Sequence, residues 1–334
     1  MARAYFYLVA ASWLLTTTSA FAFIERRVER RFEVPVDAVL SVDSFSGMVR
    51  ITEEANSEVI EVVVLQRAEV ETESQMDARL ALLTLDMSQK NGAVSLVARY
   101  RKPVVWSWTS WPPVNLSYEI KVPRRCDVQV TTREGSIVIG SLEGRVVLAN
   151  ESGNIFTGEI DGSLTVHSNT GELGITAVTG SVTASTATGS ITVGRAGGPA
   201  RLSSQGGYME LQRARGEVVI RGSGSDAKVG FAPPVRHPAD IELSGGELIL
   251  VVESTSVCTL DLRTSVFGKV GLRGELPRTL LAGGEGQSNM EAMVNGGGPR
   301  ITARAKGGNI MVRGVEPLPV VLADENGSEN AGTR

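Results

Sequence analysis

Cysteine, histidine and aromatic residues are scarce in this chain: two cysteines, two histidines and 5% aromatics in 334 residues. Each scarcity closes a class of function. Two cysteines cannot build a disulfide-stapled scaffold. His167 and His237 alone cannot assemble a histidine metal site or a nucleophile triad, which need more partners. Beyond the N-terminal segment no apolar run approaches the roughly 20 residues that cross a bilayer. A net charge of −4 with mixed signs lacks the basic footprint of a nucleic-acid binder. The one basic cluster, Arg26, Arg27, Arg30 and Arg31, is interleaved with Glu25, Glu29 and Glu33 and reads as a solvated face.

Glycine, by contrast, is abundant and ordered. Gly135, Gly144, Gly153, Gly162, Gly171, Gly180, Gly189, Gly198, Gly207 and Gly216 are nine residues apart without a slip. A fixed period is the mark of a repeat architecture. After each glycine, apolar residues two apart share one strand face: Ile137 and Ile139, Val146 and Leu148, Leu164 and Val166, Ile191 and Val193. The glycine itself is expected to make the turn by entering φ > 0. The seventh residue after it is Leu142, Ile160, Val178, Ala196 and Ala214 in alternate units, and Glu151, Asn169, Ala187, Gln205 and Ser223 in the others. The true unit is therefore 18 residues, one coil with two unequal halves. Coils stacking at about 4.8 Å predict an all-β fold, a right-handed parallel β-solenoid, either a β-helix or a two-sided β-roll.

The chain divides as follows. Residues 1–22 read as a signal peptide: Arg3, an apolar core from Tyr5 to Leu15, and the A-x-A site Ala20-Phe21-Ala22. Export is expected, to the periplasm, the outer surface or the medium, with no membrane span after cleavage. Residues 23–122 form a β-rich capping region with one short helix near Ser74–Asp77, where Met76, Leu80 and Leu83 share a face. Regular coils occupy 123–224, a degenerate continuation 225–314, and a flexible tail 315–334. The lead-in Val122-Pro123 to Gly135 is anticipated by Val34-Pro35 to Gly47, and more loosely repeated from Val257-Cys258 to Gly268. Cys126 precedes the first coil and Cys258 follows the last. A bridge needs Cα atoms within about 7 Å, so two buried free thiols are expected.

Candidate chemistry is thin. Calcium-binding nonapeptide rolls carry an Asp in each turn, and turns such as Glu151-Ser152-Gly153 and Asn169-Thr170-Gly171 lack it. No metal, cofactor or catalytic residue is expected. The third residue after each glycine, from Val138 and Val147 to Glu210 and Val219, offers no acidic row for a glycosidase. One local feature stands out: Trp106, Trp108 and Trp111, followed by Pro112-Pro113. Tryptophans at i and i+2 share a strand face and either stack on a ligand or cover the open end of the stack. Of the two, the cover is favoured, because an open end exposes apolar surface.

The G-x-I-x-V … G-x-V-x-V ladder, the V-P-x-x-x-x-V-x-V lead-in and the export signal together resemble the bacterial putative-adhesin family of unknown function, a group of exported, head-GIN adhesin-like β-helix proteins. The resemblance spans roughly 34–314. It implies a cell-envelope scaffold or adhesion/binding module, not an enzyme, with a cell-surface glycan or an envelope protein as partner. The alternative is a carbohydrate-binding or polysaccharide-active β-helix using the segment from Trp106 to Trp111.

Overall fold

Alternation of apolar and polar residues makes almost the whole chain into strands. The computed structural model describes residues 23–100, 112–265 and 267–317. Among them are 26 strands and one helix, and all the strands belong to one sheet. The protein is all-β. Its sheet is mixed and does not close.

Two ladders run through this sheet. In the first, Val128↔Val146↔Leu164↔Val182↔Ala200↔Val218 are successive register partners. In the second, Ile137↔Ile155↔Leu173↔Ile191↔Met209 play that part. All these pairs are parallel, and each step is 18 residues. The apolar residues of both ladders point into one continuous core. Leu142, Ile160, Val178, Ala196 and Ala214 are buried with them. Apolar burial at about 25 cal/mol per Å² is the main stabilising term, and each strand contributes two or three inward side chains to it.

The glycines do two different jobs. Gly153 has φ +125, and a Cβ there would lie 2.3 Å from the Gly135 carbonyl oxygen. Gly180 has no left-handed φ, yet its Cβ would lie 2.4 Å from Gly162 O. Turning by positive φ thus explains the column containing Gly153, but not Gly180, Gly198 or Gly216. There the close approach of the next rung excludes a side chain.

At both ends, stacking order departs from chain order. The strand Ala38–Ser46 lies between Cys126–Glu134 and Ala93–Tyr100, so the two similar lead-ins sit on adjacent rungs, with Ala38 opposite Cys126. At the other end, Arg300–Lys306 inserts between Ala239–Ser244 and Cys258–Thr264. Offsets there are 21 and 62 residues, as in Val218↔Ala239 and Ala239↔Ile301. Antiparallel strands finish each end: Ile24–Glu33, Val59–Ala68 and Leu83–Lys90 at one, Arg278–Gly283 and Asn289–Val294 at the other. The purely parallel stack expected from the repeat therefore gives way to a mixed sheet. Outer strand edges invite further pairing, and Ile24–Glu33 counters this with alternating charge.

The helix is Glu73–Leu80, opened by a capping box in which Thr72 and Gln75 satisfy each other's backbone N–H groups. Met76 is its buried residue. Leu83, expected on the helix face with Met76 and Leu80, instead begins the strand Leu83–Lys90.

Candidate functional site

Outward-facing residues of the first ladder line up in columns because each register pair places like positions side by side. One column reads Asp43, Thr131, Ala149, His167, Ser185, Ser203, Arg221, Glu242, Arg304. Eight steps of about 4.8 Å make it roughly 38 Å long. Its middle carries small or neutral side chains, and the neighbouring column adds Asn169, Ala187 and Gln205. With so little bulk, the face is hollow. Two cavities of about 680 and 640 Å³ lie along it and share His167 and Asn169, so they form one trough.

The trough is charged at its ends and neutral between. At one end Arg99 pairs with Asp43, and Arg133 with Glu151 at 3.3 Å. At the other, Arg304 sits 3.4 Å from Glu242, and Arg221 is 3.7 Å from the same carboxylate. Every one of these carboxylates has a guanidinium beside it. In the centre, His167 Nδ1 shares a 2.8 Å hydrogen bond with Ser185 Oγ. The first end also holds the aromatics: Phe45 and Tyr100 meet edge to face at 5.8 Å, and the Arg133 guanidinium lies 5.4 Å from the Phe45 ring centre.

Beneath the trough floor is a column of buried polar residues: Ser44, Thr132, Asn150, Ser168, Thr186 and Ser204. Burial of an unpaired hydroxyl or amide would cost about 1–3 kcal/mol, and each finds a carbonyl. Ser168 Oγ donates to Thr170 O at 3.0 Å, Ser204 Oγ to Gly206 O at 2.6 Å, and Asn150 Nδ2 to Gly135 O at 2.8 Å. These bonds fasten the corner that turns at the positive-φ glycine and so hold the strand ends that bound the trough. Ser44 Oγ lies 2.9 Å from Tyr118 Oη, whose phenol is pushed up by burial.

The repeat glycines thus define corners, not contacts. Trp106, Trp108 and Trp111 lie outside the described residues. Their described flanks, Tyr100 and Val114, meet at the aromatic end of the trough, where Tyr100 Oη donates to Val114 O at 3.1 Å. His237 is exposed in the proline loop. Cys126 and Cys258 are buried and free, eight first-ladder rungs apart. Burial pushes the Cys126 thiol up to about 12 and Cys258 up to about 11. Neither is a ready nucleophile. Among the described residues no group of three His, Cys, Asp or Glu side chains is placed to hold a metal ion, and no helix is long and apolar enough to cross a membrane.

The trough and the polar column were not read from sequence. The column had a signal: Ser, Thr or Asn three residues before alternate glycines, as in Thr132/Gly135 and Ser168/Gly171. The trough had a weaker one, the run of small outward residues at 18-residue spacing.

No family model matches the chain, and no curated protein matches it. Among solved structures it is similar to several at low identity. A putative cell adhesion protein from Clostridium sporogenes is 11% identical, covering 87% of this chain and 100% of its own, at a TM-score of 0.21. A putative adhesin from Bacteroides fragilis is 12% identical, covering 87% and 97%, at 0.32. A putative lipid binding protein from Parabacteroides distasonis is 12% identical, covering 86% and 96%, at 0.33. Likeness at this level does not by itself define an activity.

Proposed function

We propose that the two ladders wind as a right-handed β-solenoid, that the chain is exported, and that it serves as a non-enzymatic cell-envelope scaffold or adhesion/binding module. The observation that carries the binding role is the trough spanning Asp43 to Arg304. An extended surface of repeating small residues suits an extended partner with a repeating backbone, such as a surface glycan or a segment of an envelope protein. Ion pairs at each end limit where such a partner begins and stops. The trough's carboxylates, Asp43, Glu151 and Glu242, are each held by arginine, which favours binding over turnover.

The second reading is a dedicated carbohydrate-binding or polysaccharide-active protein, favoured by the Phe45–Tyr100 platform at one end and the hydroxyl and amide side chains beyond it. A glycan array with parallel assay of polysaccharide turnover tests both readings. Binding without turnover, abolished by Ser185→Trp at unchanged melting temperature, is expected. Binding that survives Ser185→Trp removes the trough from the function, and turnover removes the non-enzymatic reading. Trp106→Ala with Trp108→Ala separates a ligand contact, which leaves melting unchanged, from an end cover, which lowers it. N-terminal sequencing of the exported protein is expected to begin at Phe23.

A further inference from the structure

A second cleft, of about 860 Å³, lies where the second-ladder strands run out, and it shares no residue with the trough. Its outward column reads Glu159↔Ala177↔Arg195↔Arg213. Arg195 and Arg213 are therefore direct register partners, and like charges so placed repel. Arg195 is answered by Glu159, two rungs away across Ala177. Among the described residues Arg213 has only Glu253, at 3.9 Å. Arg215, just past the end of the strand Gly207–Ala214, lines the same cleft and has no ion-pair partner among the described residues. Its backbone N–H donates to Ala196 O at 2.9 Å, which seats it one rung from Gly197.

Ala177 and Gly197 line the cleft beside these arginines, and Glu159 reaches over Ala177 to the Arg195 guanidinium. A Cβ at Gly197 would fall 2.4 Å from Thr179 O, which keeps that position bare. Arg213 and Arg215 bring two guanidiniums to one end of the cleft against one distant carboxylate, Glu253, and planar donor forks with charge to spare are the chemistry of tetrahedral oxyanion recognition. We propose that this cleft binds a phosphoryl group through Arg213 and Arg215, with Arg195 held beside them by Glu159. The far end is acidic: Asp161 accepts from Thr179 Oγ1 at 2.6 Å, and Glu143 pairs with Arg124. That polarity orients the ligand, with its phosphoryl group at the arginines and a neutral or cationic portion toward Asp161.

Inorganic phosphate is the probe, titrated against chloride at matched ionic strength and read by thermal shift and by phosphorus NMR line broadening. Arg213→Gln and Arg215→Gln are each expected to weaken phosphate binding about five- to tenfold, the loss of one charge-assisted contact. Arg236→Gln, an exposed arginine of the proline loop, is expected to leave it unchanged. Equal weakening by all three variants, or none by the first two, overturns the proposal, since binding would then follow net charge alone. Flotation with vesicles containing phosphatidic acid distinguishes the source. Loss of flotation in the Arg213 and Arg215 variants assigns the site to a lipid headgroup, and phosphate binding without flotation assigns it to a soluble phosphorylated ligand.

Discussion

Substituting Gly153 by alanine should separate the two roles that glycine plays in this fold. Gly153 has φ +125, and an added Cβ would sit 2.3 Å from the carbonyl oxygen of Gly135 on the preceding rung. An alanine forced to keep that backbone costs about 1–3 kcal/mol. The clash then requires the rungs to separate, and the 3.0 Å bond from Gly135 N–H to Ser152 O is the one that spans them at this point. Losing one such buried bond costs about 1–3 kcal/mol more. The sum, about 2–6 kcal/mol, corresponds to a fall in melting temperature of roughly 3–9 °C for a chain of this size. Gly180→Ala carries the close contact without the positive φ, so about half that loss is expected. At Gly206 an added Cβ meets nothing closer than 3.9 Å, and alanine there should melt with the parent protein. Thermal unfolding by circular dichroism and calorimetry ranks the three. If Gly153→Ala melted with Gly206→Ala, the ladder geometry argued above would be wrong.

The buried polar column offers an independent check. Asn150→Leu removes the 2.8 Å bond to Gly135 O and the acceptor of Ser168 Oγ, and it should lower the urea midpoint by an amount equivalent to about 1–3 kcal/mol. An unchanged midpoint would mean that these corner bonds contribute nothing. The thiols predict a pH dependence. Both folded thiols lie above the ordinary value of about 8.5, so their neutral forms favour the fold, and that contribution is complete below about pH 8.5 and lost as pH rises toward 11 to 12. Melting temperature should therefore fall over this window, less steeply in the Cys126→Ala, Cys258→Ala double variant; identical slopes would refute the assignment. Thiol labelling of native protein at pH 8 should be slow, and denaturation should release both thiols. Fast native labelling would contradict their burial.

How much was legible in the sequence differs by region. Between Val128 and Gly222 the 18-residue period carried over directly into register pairs, because one unit of sequence is one rung and glycine spacing counts rungs. The similarity between the segments at Val34 and Val122 marked strands that lie side by side, although 88 residues separate Ala38 from Cys126. At Gly180 the turn argument failed, since a glycine required by a neighbouring backbone looks the same in sequence as one required by its own φ. Leu83 failed for another reason. Its spacing from Met76 and Leu80 suits a helix, but pairing with Tyr100 on a core-facing edge outweighs it.

The sequence by itself determined the all-β class, the rung length, the inward and outward sides of each strand and the isolation of the two cysteines. All of these follow from local periodicity, which one strand's neighbours simply copy. Only the tertiary structure decided that Arg300–Lys306 inserts between two earlier rungs, that antiparallel strands finish both ends, that small side chains on successive rungs merge into one trough, and that Arg195 and Arg213 stand side by side. Those facts depend on which rung lies against which. That choice is made by the fit of whole faces and the covering of open ends, information that no single repeat contains.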